Sequence, residues 1–106
     1  MHNLRYLDIS ENQYIVTLPD EMVKLVNLTV LKANNNRIQV ISEGFKGLSA
    51  LTYLDLSVNR TGGFPPAFIS GLSNLVTLKC SGNQLSTLPQ EFEHLTNLTF
   101  LDLSLR

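Results

Sequence analysis

Cysteine occurs once, at Cys80, and tryptophan not at all. A single thiol excludes an internal disulfide framework and a paired-cysteine zinc site, and it favours a reducing, cytoplasmic compartment. A charge excess is missing too. Nine acidic residues against eight basic ones leave a net charge of −1, too weak a field to hold nucleic acid or an anionic membrane surface. No apolar run approaches the ~20 residues that span a bilayer, and no basic start with an apolar core marks a signal peptide. His2 and His94 have no partner cluster, His94 in Glu91-Phe92-Glu93-His94 reading as a solvated surface histidine, and neither a phosphate loop nor a nucleophile elbow is present. The expectation is a module that is not an enzyme, carries no cofactor or metal and does not insert into membranes.

What the chain has is a repeat, and a period of this length decides the fold. The segments LRYLDISEN, LTVLKANNN, LTYLDLSVN, LVTLKCSGN and LTFLDLSLR begin at Leu4, Leu28, Leu51, Leu75 and Leu98. The first four end in Asn12, Asn36, Asn59 and Asn83. Each full unit then carries a second apolar set closed by a leucine: Leu18, Met22, Leu25; Ile41, Phe45, Leu48; Phe64, Phe68, Leu72; Leu88, Phe92, Leu95. The triplets Leu4/Leu7/Ile9, Leu28/Leu31/Ala33, Leu51/Leu54/Leu56, Leu75/Leu78/Cys80 and Leu98/Leu101/Leu103 end on a two-residue alternation, which describes a short strand with one face inward. Turn formers such as Gly62-Gly63, Pro65-Pro66 and Pro89 leave the rest as irregular coil with at most a helical turn. One such unit buries too little to offset its own backbone entropy, so the units must stack.

These residues resemble the leucine-rich-repeat family, whose motif LxxLxLxxN followed by xLxxLPxxFxxLxx is matched almost position for position from Leu75 to Asn97. The resemblance runs from Leu4 to Arg106 in mixed units of 23 and 24 residues. It implies an α/β-type solenoid, mostly β and coil. The fold would be a right-handed superhelix with a parallel sheet of about five strands on the concave face and an irregular or short-helical convex side. It also implies one domain over 1–106, with repeats 4–27, 28–50, 51–74 and 75–97 and a partial repeat 98–106. By the same resemblance Asn12, Asn36, Asn59 and Asn83 form an internal ladder, and Phe45, Phe68 and Phe92 a convex spine. Segment 59–66, with its glycines and prolines, is similar to the plant-type variant without matching it cleanly.

If the family's concave face is the sheet, the outward strand positions form columns. One is Tyr6, Val30, Tyr53, Thr77 and Phe100; the next is Asp8, Lys32, Asp55, Lys79 and Asp102; the third is Ser10, Asn34, Ser57, Ser81 and Ser104. Glu11, Asn35, Val58 and Gly82 follow at the rim. Strands ~4.8 Å apart would place each lysine between two aspartates, so the middle column is expected to neutralise itself. The aromatic column has two readings: anchors for a partner, or a cover over the sheet backbone. On the first, the chain is a protein–protein interaction module binding through these columns. On the second class of function, it is a sensing or regulatory segment of a larger receptor or signalling protein of kinase, GTPase or nucleotide-binding type.

The sequons at Asn27 and Asn97 are the argument for an extracellular setting, whereas the one at Asn59 coincides with a ladder position. Cys80 falls at an inward strand position, where a thiol acts as a small hydrophobe. The first and last units lack the polar caps that close a solenoid, which predicts a fragment, or self-association through open ends.

Overall fold

The computed structural model of the chain describes residues 3–13, 15–18, 22, 24–39, 41, 47–60, 71–83 and 95–102. Phe45, Phe68, Phe92, His94 and Ser104 lie outside that set. Five three-residue strands form one sheet: β1 Tyr6–Asp8, β2 Val30–Lys32, β3 Tyr53–Asp55, β4 Thr77–Lys79 and β5 Phe100–Asp102. Their spatial order is their chain order, and every pairing is parallel. Outside the strands the described residues include 3₁₀ positions at Met22, Lys24 and Gly47 and a β-bridge at Thr17. This is the mostly β and coil solenoid that the repeat implies.

Each strand exists because its middle residue is a leucine flanked by two outward positions. Leu31, Leu54 and Leu78 are buried while their neighbours are half-exposed. Inward residues just before and after the strands complete one core, among them Leu28, Leu51 and Leu75, and Ala33, Leu56 and Cys80. The second apolar set closes it from the far side through Leu18, Met22, Leu25, Ile41, Leu48, Leu72 and Leu95. Entry into the strands is standardised. Leu28, Leu51, Leu75 and Leu98 each donate a backbone N–H to the leucine three residues earlier, at 3.0 to 3.3 Å. These four turns aim the next strand back alongside its predecessor.

The asparagine ladder supplies the polar counterpart of that core. Asn59 Nδ2 donates to Leu56 O and Ser57 O of its own turn and to Ala33 O of the preceding rung, at 3.0 to 3.2 Å. Its Oδ1 accepts the N–H of Ile38 at 3.0 Å. Asn36 and Asn83 repeat the donor pattern towards Ile9 O and Leu56 O. All three are buried, and no buried side-chain nitrogen or oxygen among the described residues is left without a partner. Asn12 differs: it is exposed and donates only to Ile9 O of its own turn. Among the described residues no carbonyl of an earlier rung is stacked against it.

Two further ladders run along the edge where the chain enters the sheet. Thr29, Thr52 and Thr99 donate their hydroxyls to Arg5 O, Thr29 O and Val76 O, one rung back. Asn74 and Asn97 donate their amides to Ser49 O and Ser73 O in the same way, at 3.0 and 3.1 Å. Asn97 and Thr99 are the two defining residues of one sequon, and Thr29 belongs to another. Stacking of rungs therefore accounts for these residues without any sugar.

Candidate interaction surface

Strand register sets the columns. Tyr6 pairs with Val30, Val30 with Tyr53, Tyr53 with Thr77 and Thr77 with Phe100; Asp8, Lys32, Asp55, Lys79 and Asp102 run beside them in the same order. Both columns lie on the side opposite the buried leucines. Tyr6 is 52% and Phe100 49% exposed, with Tyr53, Val30 and Thr77 half-buried. Ser10, Asn34, Ser57 and Ser81 form the half-buried third column.

The aromatic rings stand two rungs apart, about 10 Å at the spacing of parallel strands, too far to stack on one another. The lysines fill the intervals. Lys32 Nζ lies 5.5 Å from the centre of the Tyr6 ring and 5.9 Å from that of Tyr53. Lys79 Nζ repeats this between Tyr53 and Phe100, at 5.5 and 5.8 Å. A cation within about 6 Å of a ring face is attracted by its quadrupole. The tyrosine hydroxyls, Tyr6 for Lys32 and Tyr53 for Lys79, hold the two ammonium groups above their ordinary range, with the aspartates adding a smaller push in the same direction.

The aspartates attract these lysines, Asp8 acting on Lys32 and Asp55 and Asp102 on Lys79, but the hydrogen bonds of Asp8 and Asp55 are made elsewhere. The carboxylates turn along their own strands instead. Asp8 Oδ1 accepts both the hydroxyl and the N–H of Ser10, and Asp55 Oδ1 accepts the N–H of Ser57 at 3.0 Å. The Ser10 hydroxyl and then its N–H hold Asp8 below the usual carboxylate range. A serine two residues after the aspartate thus fixes one oxygen in an Asx turn and leaves the other facing out.

The rim carries a backbone feature that the residue types conceal. Glu11, Asn35, Val58 and Gly82 all have positive φ, between 55° and 70°. Each of the first three is pinned there by an N–H donated to the next rung, to Asn34 O, Ser57 O and Ser81 O. Glycine and asparagine accept that conformation readily; a β-branched valine does not. Val58 is nevertheless 50% exposed, so burial does not offset its strain.

Cys80 is buried in the core, where loss of water and then the nearby Asp55 and Asp102 push its thiol up to about 12. It packs as a small apolar group in the core. No cluster of three or more metal-ligating side chains occurs among the described residues. None of their helices is long and apolar enough to cross a membrane.

A sheet of parallel rungs in register, buried asparagines at three successive turns and an open outward face define a repeat solenoid. The sequence model of the Leucine rich repeat family matches residues 2–60 and again 51–104. The chain belongs to that family, whose members are in general protein-interaction modules rather than enzymes. Among solved structures it is similar to a leucine-rich-repeat protein of Leptospira interrogans, at 36% identity and a TM-score of 0.87 over 97% of this chain. It is also similar to TLR13 in the TLR13–ssRNA13 complex, at 31% identity and a TM-score of 0.82 over 95% of this chain. The chain spans only 26% of the first of those proteins and 15% of the second. No curated protein matches it.

Proposed function

We propose that the chain binds a protein partner through the outward face of its sheet and performs no chemistry there. The observation that carries this reading is the row Tyr6, Lys32, Tyr53, Lys79, Phe100, in which each ring is held upright by an ammonium while Tyr6 and Phe100 stay half exposed. Rings so ordered lose little further entropy on contact, the property of anchor residues. Beside them Asp8 and Asp55 offer oriented carboxylate oxygens to N–H or cationic donors of the partner. Asp102, Ser10, Asn34, Ser57 and Ser81 extend that polar border, and the rim residues Glu11 and Asn35 differ enough in chemistry to discriminate between partners.

A second reading is a ligand-sensing or regulatory segment of a larger receptor or signalling protein. The likeness to TLR13 favours it, and because that protein was solved with RNA, fold alone does not exclude nucleic acid as a ligand. The net charge of −1 argues for protein over nucleic acid. A reducing, cytoplasmic setting fits the free buried thiol of Cys80, since the edge ladders account for the sequon residues Asn97 and Thr99.

The experiment is capture of partners by the immobilised chain and by a variant carrying Tyr6→Ala, Tyr53→Ala and Phe100→Ala. The reading expects partners held by the parent chain to be lost from the variant, with circular dichroism unchanged. Equal capture by the two, together with loss in Val26→Ser, would move recognition off the strand columns.

A further inference from the structure

Outside the strand columns, one open cleft of about 240 Å³ lies past the rim. Arg37 and Arg60 line it, and they occupy the same position on neighbouring rungs. Each directly follows a ladder asparagine, and each donates its backbone N–H to an isoleucine carbonyl one rung back, Arg37 to Ile15 O at 2.9 Å and Arg60 to Ile38 O at 3.0 Å. Two cations are therefore stacked at rung spacing, about 4.8 Å between backbones, where like charges repel. The strand column avoids this arrangement by alternating Asp and Lys. Here nothing relieves it: both arginines are exposed, and among the described residues neither guanidinium has an ion pair or a hydrogen bond.

The surroundings suit an anion. Among the described residues no acidic side chain lines the cleft. Gln13 and Asn35 bring amide donors to its sides. The floor is made by Asn36 and Asn59, whose Oδ1 atoms are already occupied, Asn36 by the N–H groups of Asn12 and Gln13 at 3.2 Å and Asn59 by that of Ile38 at 3.0 Å. The last wall is Val58, the residue held at φ 55° without compensating burial.

We propose that this cleft is a binding site for a phosphate monoester, independent of the sheet face. Two guanidinium groups match a dianion in charge, whereas a carboxylate would leave one cation uncompensated. Each planar fork can donate two parallel N–H bonds to tetrahedral oxygens. The cleft is larger than a bare phosphate, which leaves room for the group that the ester carries.

The test is a titration of the ¹⁵N-labelled chain at pH 7.5 and constant ionic strength, following the side-chain Nε–H signals of Arg37 and Arg60 and the backbone amides of Gln13 and Val58. Inorganic phosphate should shift all of them saturably, and dimethyl phosphate, a monoanion, at least tenfold more weakly. O-phosphoserine binding more tightly than inorganic phosphate would assign the site to a phosphorylated side chain; the reverse order would assign it to free phosphate. Arg37→Gln and Arg60→Gln, made singly and together, should each weaken binding, and Arg37→Lys should restore part of it. The proposal is overturned if chloride moves the same signals equally, if dimethyl phosphate binds as well as phosphate, or if the glutamine variants bind as the parent does.

Discussion

Lys32 reaches across to Tyr6, its Nζ 5.5 Å from the ring centre, and forms no ion pair with Asp8, the next residue but one to that tyrosine. That choice organises the outward face. A lysine stem is long enough to reach the ring of the adjacent column, whereas an aspartate is short enough only to reach its own turn. Charge alternation along the sheet therefore comes with lysine-flanked aromatics and, at Asp8 and Asp55, capped turns.

Removing the ammonium while keeping the stem isolates this effect. Lys32→Met should lower the thermal midpoint by a few degrees and change the tyrosine fluorescence, which no tryptophan obscures. Asp55→Asn keeps an acceptor for the Ser57 N–H and should leave both nearly unchanged. A larger loss in Asp55→Asn than in Lys32→Met would restore the salt-bridge account.

Position in the stack decides what a ladder asparagine contributes. Asn59→Ala removes the amide that donates to Ala33 O, Leu56 O and Ser57 O and accepts the Ile38 N–H, and should cost roughly 2 to 4 kcal/mol in urea unfolding. Asn12→Ala removes one exposed bond and should cost about 1 kcal/mol or less. Equal losses would show that the ladder is not what holds rung to rung.

Strain at the rim is measurable by relieving it. Val58→Gly removes a left-handed β-branched residue at the expense of some unfolded-state entropy, and should stabilise the chain by roughly 0.5 to 1 kcal/mol. Gly82→Ala, at the same position one rung on, should destabilise it by about 1 kcal/mol. A destabilised Val58→Gly variant would mean that the valine side chain contributes more than its geometry shows.

The thiol of Cys80 links stability to alkaline pH. Its folded value of about 12 stands above the ordinary 9.0, so the unfolded chain loses that proton first. Stability is fully present below about pH 9 and declines as pH rises towards 12, by up to about 4 kcal/mol on the two values. Cys80→Ala should flatten that part of the pH profile. In the native chain the thiol should resist alkylation at pH 8 and react once urea is added; prompt native alkylation would contradict the burial.

Much of this was readable because the repeat aligns residues of one kind. Leucine at Leu31, Leu54 and Leu78 and asparagine at Asn36, Asn59 and Asn83 recur in register, and each recurrence is a requirement of the core. The sheet and its columns follow directly. The partners of the lysines were not readable, since register places Cα atoms and says nothing of where four methylenes lead. The rim was obscured for the opposite reason. Glu11, Asn35 and Val58 share a backbone conformation and no chemistry, and only Gly82 signals it. Asn97 and Thr99 matched a modification motif and thereby hid their place in the edge ladders. Arg37 and Arg60 share a register that the sequence shows, one place after Asn36 and Asn59, but not that both line one cleft.

The claim on which the functional account turns is that the outward sheet face makes the contact. Cross-saturation from a captured, unlabelled partner to the isotope-labelled chain measures it directly. The account predicts signal loss concentrated at Tyr6, Val30, Tyr53, Thr77 and Phe100. Loss centred instead on the exposed valines Val16, Val26 and Val76, with the aromatic row untouched, would contradict it.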